Sequence, residues 1–64
     1  MYKVNAKKIQ WNHRVSYRGQ VLEVSGKPQV WFDSNIIRDN PQDAELDGYN
    51  ELRRHHVGLE NVIF

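Results

Sequence analysis

The hydrophobic positions fall into two regimes. From Tyr2 to Phe32 they alternate with polar residues or form short runs rich in Val, Tyr, Trp and Phe, a pattern suited to pleated, half-buried strands. From Leu46 to His56 they recur at spacings of three, three and four, through Leu46, Tyr49, Leu52 and His56, which is a narrow helical stripe.

In the first regime Tyr2, Val4 and Ala6 alternate with Lys3, Asn5 and Lys7. The apolar parity then moves to Ile9 and Trp11, with His13 next in the same alternation, which predicts either one long bent strand or two strands with a bulge near Ala6–Lys8. Asn12-His13 reads equally as a turn or as strand continuing to Tyr17. Residues 14–32 read as a three-stranded antiparallel meander with turns at Arg18-Gly19 and Ser25-Gly26-Lys27-Pro28. On that register Leu22 and Val24 face the core and Val21 faces out. The adjacent Val30, Trp31 and Phe32 must split between the faces, so either Trp31 or the Val30/Phe32 pair lies opposite the main core. Asp33-Ser34-Asn35 should leave the sheet, with Ile36 and Ile37 at its edge.

The second regime opens with Asn40 as N-cap and Pro41 at the first helical position, with acids following where the helix dipole favours them. Arg53, Arg54, His55 and His56 suit the other end, and Gly58 suits the residue after the cap. Gly48 in the middle marks a close approach to the sheet or a break between two shorter helices. The apolar tail Leu59, Val62, Ile63 and Phe64 should return as an edge strand. The expected architecture is α+β: one domain, with a small antiparallel sheet of three to five strands over residues 1–37, a helix over about 41–57 on one face, and a closing strand over about 59–64. The other face has no evident cover, unless the bent first strand wraps over it.

At 64 residues the chain can bury only ~60% of the surface it exposes when unfolded, and it has no cysteine to staple it. Its core should supply only ~3–5 kcal/mol, so a homodimer or a partner-stabilised state is a reasonable expectation. A cysteine-free chain with no signal-like N-terminus and no apolar run of ~20 residues points to a cytoplasmic protein without a membrane partner.

Charge changes the picture more than composition does. The net charge is only +1, yet residues 1–18 carry Lys3, Lys7, Lys8, Arg14 and Arg18 and no acid. Residues 33–51 carry six acids against Arg38 alone. Cations interleaved with aromatic residues suit phosphate attraction and base stacking, so Lys7, Lys8, Trp11, Arg14 and Arg18 are the candidate nucleic-acid-binding residues. The rival expectation is a protein-binding adaptor or inhibitor that uses an exposed Trp31 with Asp43 and Asp47 on an acidic helix face.

Chemistry finds less support. His55 and His56 are adjacent, not at the i, i+4 spacing that grips a metal, and His13 is distant in sequence. Asp43-Ala44-Glu45-Leu46-Asp47-Gly48 imitates the opening of a calcium loop, but position twelve is Arg54 where a bidentate glutamate is required. Ser16, Ser25 and Ser34 have no adjoining His–carboxylate pair, and the glycines form no phosphate loop. The expectation is a non-enzymatic binding module with no metal and no cofactor. The β-β-β-α order resembles small DNA-binding modules that lay a three-stranded sheet in a groove, and the bent-strand variant resembles SH3-like barrels. Both resemblances are of architecture alone.

Overall fold

A computed structural model describes all residues from Met1 to Phe64. The elements are β1 (Tyr2–Trp11), β2 (Arg14–Glu23), β3 (Gln29–Arg38), α1 (Pro41–Arg54), a single 3-10 turn at Leu59–Asn61, and β4 (Val62–Ile63). The four strands form one sheet in the order β3-β2-β1-β4, antiparallel except for the parallel β1–β4 pair, and the helix covers one face. The fold is thus the α+β arrangement expected, and the C-terminal tail returns as the short edge strand. The sheet stays open, with β3 and β4 at its edges. No helix is long and apolar enough to cross a membrane.

Of the two readings of Asn12-His13 the turn is the one that holds, and the turn expected at Arg18-Gly19 does not exist. β1 and β2 pair without a register shift from Tyr2↔Glu23 to Trp11↔Arg14, so the hairpin turns at Asn12-His13. Both turn residues have positive φ, 49° and 63°, which is a type I′ turn whose twist matches the strands it joins. Gly19 is therefore not a turn residue but lies inside β2. A Cβ on it would run into the Ala44 carbonyl oxygen and come within 3.0 Å of the Asp47 Cβ. Glycine is needed there because the helix backbone rests on the strand.

This unbroken strand also corrects the core. Parity runs through Val15, Tyr17 and Gly19 to Val21, which is fully buried under the helix, while Leu22 takes the opposite face. The second turn lies between Glu23 and Gln29, as expected. The Met1 ammonium (3.1 Å) and the Ser25 backbone N–H (2.6 Å) both hydrogen-bond to the Glu23 carboxylate, as does the Ser25 hydroxyl.

β3 is bulged twice. Val21 pairs with Phe32 but Leu22 with Val30, leaving Trp31 as the extra residue. The bulge lets Trp31 and Phe32 both pack toward the helix-side core, and only Val30 is left on the open face. Trp31 sits edge-on to Tyr2 and to His55, each with ring centroids 5.1 Å apart. The expected exposed Trp31 is thus a packed, half-buried side chain. The second bulge sets Ser34, Asn35 and Ile36 opposite Gly19, so Asp33-Ser34-Asn35 remains in the strand instead of leaving it. Ser34 is buried, and its hydroxyl accepts a hydrogen bond from the Ile36 N–H at 3.0 Å.

α1 starts where expected. The Asn40 side chain accepts from the Asp43 N–H at 2.9 Å and donates to the Asp43 carboxylate at 3.0 Å, with Pro41 next to the cap. Its buried face is Ala44, Gly48 and Leu52; of the expected stripe Leu52 is buried and Tyr49 packs on the core, whereas Leu46 and His56 are exposed. Small residues serve because the helix lies close: a Cβ on Gly48 would stand 2.8 Å from Val4 Cγ1. The helix ends at Arg54, three residues early. His56 N–H bonds to Arg53 O and Val57 N–H to Leu52 O, both at 3.0 Å, a Schellman ending with His56 in the left-handed region at φ 58°. His56, rather than Gly58, is the residue after the cap. Val57 packs on the cluster containing Leu52 and Val62.

Candidate nucleic-acid interface

Register decides which face each side chain takes, because residues paired across β1 and β2 share a face. Val4 and Val21 mark the helix-covered face. Trp11↔Arg14 and Lys7↔Arg18 then lie on the open face, as does Lys3, while Lys8↔Tyr17 lies on the helix side. All five expected nucleic-acid-binding residues fall in the outer half of one hairpin, four on one face and Lys8 on the other. Lys3 joins them beyond the expected set, and its odd parity, shared with Lys7, is the signal in the sequence that places it there.

The outer half of this hairpin is a projecting arm. β2 pairs with β3 no further out than Tyr17↔Arg38, and β1 pairs with β4 only through Tyr2 and Lys3. From Ile9 to Ser16 the structure is thus two strands and a turn, and every residue from Gln10 to Val15 is exposed. The parity shift near Ala6–Lys8 has its explanation here. β1 contains no bulge; the helix simply does not reach beyond its inner half, so Ile9 and Trp11 use the open face instead. Trp11 is 71% exposed at the end of the arm.

The cations on the arm are lightly held. Arg14 approaches Asp39 at 3.7 Å, with both side chains mostly in solvent. Arg18 approaches Asp33 at 3.8 Å, and its Nε is buried without a hydrogen-bond partner. Exposed pairs at such distances contribute little, so a phosphate can take over either arginine. Lys3, Lys7 and Lys8 make no ion pair.

The residues expected to bind a protein have internal work. Trp31 is packed between Tyr2 and His55, and Asp43 completes the helix cap. Asp47 accepts two hydrogen bonds from the Arg38 guanidinium, each 2.8 Å. Those bonds hold the Asp47 carboxyl below, and the Arg38 guanidinium above, their ordinary pKa values. Asp43–Gly48 lies wholly within α1, so the calcium-loop likeness has no loop behind it. His55 is 3.4 Å from Glu51, and His13 is at the tip of the arm. A shallow open cleft of about 320 Å³ separates the β3 edge from α1, lined by Phe32, Ser34, Asn50 and Arg54 among others.

Set against known protein families, curated proteins and solved structures, the chain matches none of them, so the functional argument rests on the arm and the face it belongs to.

Proposed function

We propose that this protein is a non-enzymatic binding module that contacts nucleic acid through the basic β1–β2 arm and the open sheet face continuous with it. The observation that carries the reading is spatial. Lys7, Trp11, Arg14 and Arg18 share one uncovered face, joined by Lys3, and the acids that pair into it are Asp33, with Arg18, and Asp39, with Arg14. Cations around an exposed aromatic ring supply both terms that nucleic acids reward, phosphate neutralisation and contact with a base. The acids of α1 lie on the far side of the sheet, where they repel phosphate and favour one orientation of approach. A cysteine-free chain suits the reducing cytoplasm, where such a ligand is at hand.

The test is an anisotropy titration with labelled random-sequence oligonucleotides at low and moderate salt, with light scattering for mass. The expected result is micromolar binding that weakens steeply with salt and is lost on reversing Lys7 and Arg14 to Glu. Absence of binding even at low salt refutes the reading. The protein-binding alternative has less behind it, because Trp31, Asp43 and Asp47 already have partners within the fold.

A further inference from the structure

Resting on the nucleic-acid reading, we propose that the ligand is a B-form DNA duplex and that the β1–β2 arm enters its major groove. Three features of the arm carry this.

The first is its cross-section. Between Ile9 and Ser16 the arm has neither β3 nor β4 beside it and no helix over it. Two strands ~4.8 Å apart, with their side chains, suit a groove ~12 Å wide that admits a two-stranded ribbon. Three residue steps separate the Lys8↔Tyr17 pair from the Trp11↔Arg14 pair. At ~3.3 Å per residue that is ~10 Å, close to the groove's depth of ~8.5 Å.

The second is that cations occupy both faces of the hairpin where the ribbon leaves the sheet. Arg14 in the ribbon points one way, as do Lys7 and Arg18 at its base, and Lys8 at the base points the other. A groove has a phosphate backbone on each side, so both faces meet negative charge at once. A single strand lying on the open face would leave Lys8 idle behind the sheet.

The third is the scarcity of stacking surface. Binding successive unpaired bases calls for a series of exposed rings. Here Trp11 is the exposed ring of the arm, Tyr17 is half-buried, and Tyr2, Trp31, Phe32 and Tyr49 pack against the core; the other exposed ring, Phe64, stacks on Tyr49 at the opposite end of β1. Trp11 at the leading end is placed instead to meet base edges or thymine methyl groups on the groove floor. A-form RNA presents a deep, narrow major groove that such an arm does not enter.

The experiment compares three labelled ligands of one sequence at low salt: a DNA duplex of about two helical turns, the matching RNA duplex and the single DNA strand. Wild type, Lys7→Ala, Lys8→Ala and Trp11→Ala are titrated, each first shown by circular dichroism to be folded. The expected result is DNA-duplex binding ~10-fold or more tighter than to the other two ligands, with each lysine variant lowering the salt slope by about 1. Equal or tighter binding to the single strand or to the RNA duplex overturns the groove inference and leaves the nucleic-acid reading standing. So does a silent Lys8→Ala beside a weakened Lys7→Ala. Binding to none of the three overturns both.

Discussion

Gly19 in β2 lies directly beneath the carbonyl of Ala44 in α1, with no space between them for a methyl group. The helix is therefore seated on backbone, and an added Cβ must push the whole element away. Gly19→Ala is expected to cost ~1–3 kcal/mol, at the upper end because a backbone oxygen cannot rotate aside. Gly48→Ala meets the side chain of Val4 instead, and alanine improves the helix by up to ~1 kcal/mol, so its net effect is expected within ~1 kcal/mol of zero. Urea midpoints of the two variants check this; equal losses would mean that the seat is not at Gly19.

His13 and His56 both hold left-handed backbone, where a side chain is strained and glycine is not. His13→Gly and His56→Gly are each expected to raise stability by ~0.5–1 kcal/mol, read from the thermal midpoint. His56→Gly restores the usual residue of a Schellman ending and should not alter nucleic-acid binding.

The two tryptophans should behave oppositely. Trp31→Ala removes the ring between Tyr2 and His55 and is expected to cost ~2–4 kcal/mol, a large share of what a domain this small holds. Trp11→Ala is expected to stay within ~0.5 kcal/mol of wild type, since its ring touches mostly water. Denaturant titration followed by circular dichroism separates them, and the fluorescence of Trp11 in a Trp31→Phe background then reports on ligand at the arm.

Acid should loosen the fold through two carboxylates. Asp47 is held below its ordinary value by Arg38, and Glu23 is lowered to about 2 by the Ser25 side-chain and backbone hydrogen bonds and by the Met1 ammonium. Each folded-state value lies below the unfolded one, so the stability each group contributes is present above the unfolded value. For Glu23 it is lost as pH falls from about 4.5 toward 2, and for Asp47 as pH falls below its ordinary carboxylate range. Asp47→Asn is expected to flatten that part of the pH–stability curve and to lower its neutral plateau. Arg38→Ala, which leaves the Asp47 carboxylate without its two guanidinium hydrogen bonds, is expected to lower stability at pH 7 and to return the Asp47 carboxyl toward its ordinary value.

Much of the fold was legible because local rules agree with the outcome. Asn40-Pro41 starts the helix, Ser25–Pro28 separates two strands, and the apolar tail returns to the sheet. The displaced turn and the inverted core have one cause. From sequence Gly19 reads as a turn residue, since glycine commonly supplies positive φ, whereas Asn12 and His13 take that role and glycine provides clearance. Moving that turn by six residues inverts the faces of Val21 and Leu22. The Trp31 bulge was hidden for another reason: an extra residue in a strand leaves no mark in apolar spacing until its partner strand is known. The candidate site was more legible than the core. Lys7, Lys8, Trp11, Arg14 and Arg18 are close in sequence, and a tight hairpin keeps such residues close in space.

The pairing of Tyr2 with Val62 has a practical consequence. Both chain ends sit at the same end of β1, and nine residue steps, or ~30 Å, of that strand separate them from Trp11. A dye, bead or surface tether at either terminus would therefore leave the arm unobstructed. Pulling the two ends apart would shear the two-residue parallel pair of β1 and β4 before it loaded the ladder that carries the arm.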